Sequence, residues 1–332
     1  MTREIDYLIA TGTEDLTGPQ FLATTTILDL ATSLSARKQR TAILVVDPAL
    51  DPALVTREDS DGIAIYRSAQ PISTLPALSL TLGQPRILVL PNQLAAYDLL
   101  QTPGLDVVAW LGEDDLAALN DRGVTVPLTF WADSTYVGEI ARRLTQRPVE
   151  IVPPPLGPGV GSTMVRPDIN CVAMVGARPR DGIALILNLA RRRRDLRFII
   201  VEWPHLSSRQ RQQLFVLAAG CGNIDWRRPD GPASLIAALS EAGVILVPAM
   251  QPIGHRDWIC QMQQLGRPFL ASDLGALPDL ISTQEQLLSA GAGADDWLQR
   301  LDLLRRGLST PAGAHIASSP RQIIDKLLAR AG

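Results

Sequence analysis

The chain has 332 residues, 46% of them apolar and 20% charged, with a formal net charge of −3. That balance suits an ordinary globular protein long enough for two domains, and it excludes a disordered chain or one that recruits nucleic acid by overall charge. Cys171, Cys221 and Cys260 form no CxxC pair, no apolar run approaches the roughly 20 residues of a membrane helix, and MTREIDYLIATGTED has no basic-then-apolar leader. A soluble, cytoplasmic protein with reduced core thiols is expected.

In chain order, 5–10 reads as a strand and 11–19 as a polar loop containing Gly12 and Gly18. A helix over 20–37 follows, with Phe21, Ile27, Leu28, Leu30, Ala31 and Leu34 on one face. Strands are predicted at 41–46, 62–66, 85–90, 105–110, 126–131 and 149–152. Helices fall at 93–100 and at 134–146, where Ser134 is placed to cap the N-terminus. Glu113-Asp114-Asp115 reads as cap and dipole partners of a helix start rather than as a metal motif. The repeated strand–helix–strand order implies a parallel sheet.

The run Pro153-Pro154-Pro155-Leu156-Gly157-Pro158-Gly159 cannot continue a helix or a central strand, so 153–168 reads as a linker. The alternation then resumes. Strands are predicted at 171–175, 197–201, 223–226, 244–247 and 268–271, with a tight turn at Ser272-Asp273-Leu274-Gly275. Helices are predicted at 182–193, 208–219, 232–241, 257–265, 295–307 and 320–331. The expected fold is α/β with two Rossmann-like domains facing a cleft. Residues 1–152 form the first and 169–319 the second, and a closing helix at 320–332 can pack back on the first.

Two stretches carry chemistry. Val175-Gly176-Ala177-Arg178-Pro179-Arg180-Asp181-Gly182 joins a strand to a helix and sets two arginines beside glycines, which suits either an anion site or a solvated, arginine-rich turn. In Ala242–Ile281, strand, loop, helix, strand and turn follow one another, with Pro248, Gly254, Gly266, Pro268, Ala271, Ser272, Asp273 and Gly275 as landmarks. In an open parallel sheet such loops flank the ligand crevice. The run Arg191-Arg192-Arg193-Arg194 reads as a solvated helix end before a buried strand.

Both stretches, with the two-domain pattern, resemble the family 4 glycosyltransferases of GT-B fold. The resemblance implies transfer of a hexose from a nucleotide-sugar donor to an unknown acceptor, with retention of configuration and no metal or other cofactor. It implies a donor site that includes Gly18 in the first domain and Arg178, Arg180, Trp226, Gly254, His255, Arg256, Asp257, Gln261 and Ser272 in the second. Arg178 and Arg180 would hold the diphosphate and Gln261 the ribose. Trp226 would stack on the base or fill the core.

The family's two glutamates fall here at Ile253 and Gln261, its lysine before the helix glycine is Asp181, and no histidine lies in the first half. Ile253 cannot accept from a sugar hydroxyl, whereas Gln261 can still bond a ribose through weaker neutral contacts. These departures leave open a catalytically degenerate GT-B domain, a binding or scaffolding subunit beside an active transferase in polysaccharide biosynthesis. A homo-oligomer is equally open. Nucleic acid is not an expected partner, nor, without GxGxxG after the first strand, is a nicotinamide dehydrogenase expected.

Overall fold

The computed structural model describes residues 5–12, 21–70, 83, 85–91, 106–122, 128–153, 166–203, 206–252, 257–264, 266–281, 283–306 and 320–329. The chain divides into two compact units. One comprises Met1–Gly157 with Ala317–Gly332, and the other Pro158–Ile316.

The sheet of the first unit is built from β1 (Tyr7–Gly12), β2 (Thr41–Val46), β3 (Val55–Ser60), β4 (Ile63–Ser68), β5 (Arg86–Val89), β6 (Val107–Leu111), β7 (Thr129–Ala132) and β8 (Val149–Ile151). Their order is β3-β4-β2-β1-β5-β6-β7-β8, parallel throughout except for β3, which pairs antiparallel with β4. β1 and β2 are buried along their whole length, as central parallel strands covered on both faces must be. Alternation splits their side chains between two cores. Leu8, Ala10 and Leu44 join Phe130 and Val137 on one side. Tyr7, Ile9 and Ile43 join Trp110 and Trp131 on the other, with Ile27, Leu30 and Leu34 of helix α1 (Phe21–Ala36). Trp110 and Trp131 meet edge to face at 5.8 Å, and Trp110 Nε1 donates to the Val152 carbonyl at 2.8 Å.

Among the described residues, two further helices follow strands in this unit: α2 (Asp115–Arg122) after β6 and α3 (Thr135–Thr145) after β7. Ser134 caps α3 by accepting from the Val137 N–H. The carboxylate of Asp115 accepts from the Gly112 N–H at 2.8 Å, the capping role expected of that acidic run. Among the described residues no group of three His, Cys, Asp or Glu side chains could hold a metal ion.

The second unit holds β9 (Asp168–Val175), β10 (Arg197–Val201), β11 (Ile224–Arg227), β12 (Ala242–Val247), β13 (Phe269–Asp273) and β14 (Leu287–Ser289), all parallel in the order β11-β10-β9-β12-β13-β14. Helices α4 (Ile183–Arg192), α5 (Ser208–Ala219), α6 (Pro232–Ser240), α7 (Asp257–Gln264), α8 (Leu277–Leu280) and α9 (Ala294–Arg306) connect and cover it. The final helix, α10 (Pro320–Ala329), belongs to the first unit and packs on α1.

The arginine run that ends α4 is structural where its side chains have partners. Arg192 pairs with Asp295, and Arg193 pairs with Asp195 and, at 2.7 Å, with Asp302 of α9. Asn223 Nδ2 reaches the carbonyls of Ala190, Arg193 and Leu196, and so satisfies acceptors at the C-terminal end of α4. The three cysteines are free thiols and buried. Burial pushes the Cys171 thiol up to about 11, which keeps it protonated and unreactive. Among the described residues no helix is long and apolar enough to cross a membrane.

Candidate functional site

In the second unit the strand order reverses beside β9. The chain steps outward from β9 through β10 to β11, then returns to the other side of β9 with β12. The loops leaving β9 and β12 therefore diverge, and the crevice at the carboxyl ends of those strands is where an open α/β sheet takes its ligand. The loop after β9 is the arginine-bearing stretch 176–182. The loop after β12 begins at Pro248.

The two loops are in contact. The Met250 N–H donates to the Arg180 carbonyl at 2.8 Å. Gly182 has φ +86°, and a Cβ there would lie 2.0 Å from the Pro248 carbonyl oxygen, so only glycine permits this approach. Between the flanking glycines, a 3-10 turn at Pro179–Asp181 leaves the Arg180 side chain 44% exposed.

Asp181 takes a position the sequence did not indicate. Its carboxylate folds inward and accepts from the Arg178 N–H at 2.8 Å, and its side chain is 13% exposed. Gly176, at φ +93°, makes room for it, since a Cβ there would fall 2.5 Å from Asp181 Cγ. Burial pushes this carboxyl up, against the pull of the Arg178 amide, the Arg180 and Arg178 guanidiniums and the Ala177 amide. The glycines at 176 and 182 bracketing an acid were the signal available in the sequence.

The next strand end is also occupied. Glu202, at the end of β10, is fully buried. It accepts from Arg211 Nε at 2.8 Å, the Leu206 N–H at 2.9 Å and Trp226 Nε1 at 3.1 Å. The Trp226 ring leans on Phe215 with centroids 5.1 Å apart and packs against the core of this unit. Of the two roles open to Trp226, this packing fits the core one: its N–H and one face are already engaged. The Glu202–Arg211 pair was missed because its members lie on different elements with no motif spacing.

The remaining candidates sit as follows. Asp257 opens α7, and Gln261 lies one turn further along it. Ser272 is 1% exposed in β13, which runs on to Asp273, so the turn predicted from 272 begins at Leu274 instead. The strand is longer because Ser272 and Asp273 pair with Leu288 and Ser289 of β14. Arg178, Arg180 and Ser272 are thus carried to the carboxyl edge of one sheet, while Trp226 is held in the packing between β11 and α5. Gly18, Gly254, His255 and Arg256 lie outside the described residues, as do Ile253, the predicted helix 93–100 and linker residues 154–165.

Two Rossmann-like units in one chain, built on these two sheets, define the GT-B fold, and solved structures of that fold match nearly the whole chain. The sucrose-phosphate synthase of Thermosynechococcus elongatus is similar with a TM-score of 0.65 at 14% identity, over 92% of this chain and 91% of that one. HepE of Anabaena, solved with UDP and glucose, is similar with a TM-score of 0.65 at 12% identity over 99% of each chain. The α,α-trehalose-phosphate synthase of Burkholderia vietnamiensis gives 0.61 at 12% identity, over 98% of this chain and 95% of that one. These are likenesses of fold. No family profile matches the chain, and no curated protein matches it in sequence.

Proposed function

We propose that this chain is a glycosyltransferase that moves a hexose from a nucleotide-sugar donor to an acceptor in the cytoplasm, with retention of configuration. The observation that carries the reading is the reversal of strand order at β9 and β12, with a two-arginine loop on one side joined through Met250 to the loop on the other. HepE, of the same fold, was solved with UDP and glucose. In this reading Arg178 and Arg180 face the donor diphosphate, and their positive charge offsets what develops on the departing nucleotide. Gln261 bonds the ribose. The family resemblance would put Gly254, His255, Arg256 and Asp257 on the sugar side, Ser272 behind it and Gly18 among the donor contacts. The arginines supply the countercharge without a metal.

A second reading, a degenerate GT-B domain that binds or scaffolds, is favoured by the Asp181 carboxylate sitting in the loop that should meet the phosphates. Titration calorimetry with UDP, GDP and ADP, then with their sugar conjugates, separates the two. A transferase binds one pair with micromolar affinity, and Arg178→Ala weakens that binding by about 1.5–3 kcal/mol. A folded chain that binds none of them is not a nucleotide-sugar transferase.

A further inference from the structure

The loop 176–182 is built to hold an anion and already holds one. Its floor is cleared by Gly176, where a Cβ would lie 2.6 Å from Asp181 Oδ2. The Arg178 N–H points at that same oxygen from 2.8 Å, and Arg180 Nε lies 3.9 Å from the other. A loop amide beside a guanidinium is the donor set by which protein loops grip phosphate. Here the set closes on a side chain of its own. Asp181 is only 13% exposed and lies between the two glycines, and it brings a negative charge beside the exposed Arg180 side chain.

We propose that Asp181 is a specificity-determining residue of this crevice: it occupies the loop's anion seat and sets the chain against ligands that carry a diphosphate. The inference rests on the proposed reading of this loop as diphosphate-facing and sharpens it. A nucleoside diphosphate that binds here meets the arginine side chains but not the Arg178 amide, and it does so beside a fixed carboxylate. Its binding is weakened by like-charge repulsion and by the loss of a backbone donor.

The test uses the full chain and Asp181→Asn, which keeps an oxygen to accept from the Arg178 N–H while removing the charge. Both are titrated at pH 8 with UDP, GDP, ADP and uncharged uridine, after thermal melting shows that both fold; Asp181→Ser replaces Asn if the first variant does not. The expected result is a gain of about tenfold or more in affinity for a nucleoside diphosphate, with uridine binding unchanged. A diphosphate that binds both chains equally, or the variant more weakly, overturns the inference and leaves the donor reading standing. Binding by the variant alone supports the inference and removes the donor reading for the natural chain. Failure of both chains to bind any diphosphate overturns both. A parallel gain for uridine also overturns the inference, since it reports a loosened loop rather than a removed charge.

Discussion

Two carboxylates beyond the carboxyl ends of neighbouring strands show how placement sets charge. Asp181 is pushed up by burial, with few donors to oppose it. Glu202 is more deeply buried, which alone would push it up, yet the Arg211 guanidinium, the Leu206 amide and the Trp226 indole outweigh burial and hold it at about 2. A folded-state value below the ordinary 4.5 means that ionised Glu202 stabilises the fold above pH 4.5 and that this contribution is lost as pH falls toward 2. The depression corresponds to about 3 kcal/mol at neutral pH. Glu202→Gln is therefore expected to lower stability by about 2–3 kcal/mol at pH 7, because it loses the charge-assisted bonds and keeps the shape. By pH 3 more than half of that difference is expected to disappear. Urea unfolding of both chains at the two pH values checks this, and a gap that stays constant would contradict it.

At the scale of elements, what the sequence declared and what it concealed have physical causes. Buried parallel strands announce themselves by continuous β-branched runs, and Thr41–Val46 and Arg197–Val201 fall where that pattern puts them. β3 was not legible from apolar pattern, because Val55-Thr56-Arg57-Glu58-Asp59-Ser60 is exposed along nearly its whole length and has no core face to encode. Its signal lay in the turn instead: Asp61 and Gly62 both have positive φ, the two-residue hairpin pair that joins Ser60 to Ile63. The candidate site was legible as a strand–loop–helix with two arginines. The inward turn of Asp181 was not, since it depends on space left by Gly176. The contrast between glycines is testable. Gly62→Ala meets nothing within 4 Å and carries only the backbone cost of positive φ, about 1 kcal/mol. Gly182→Ala carries that cost and also drives a methyl into the Pro248 carbonyl, so a loss of about 2–4 kcal/mol is expected. Thermal melting ranks the two, and faster hydrogen exchange at the Met250 amide in Gly182→Ala alone would report that the contact between the loops has opened.

At the scale of the molecule, the chain makes two compact units, and the shorter of the two segments in the first unit supplies a substantial part of its packing. The proline- and glycine-rich run from 153 was readable as a break because such residues cannot extend either element around them. The attachment of α10 rests on more than its amphipathic spacing. Ile323, Ile324 and Leu327 are fully buried in the same cluster as Ile27, Leu30 and Leu34 of α1. Polar contacts fix the register: Lys326 with Glu150, Asp325 with Arg37, and the Leu327 carbonyl accepting from Arg86. The exposed ion pairs contribute little, so burial of the three aliphatic side chains dominates, worth about 5 kcal/mol in total. Ending the chain at Ile316 is expected to uncover the α1 stripe and to lower the first unit's stability by most of that amount. The second unit, whose cluster contains none of these residues, should be left unchanged. Calorimetry of the truncated chain should then show one transition moved down and one in place, with the exposed stripe binding an apolar dye. Two transitions shifted together would mean that the units do not melt separately, and no shift at all would mean that α10 adds nothing to the core it enters.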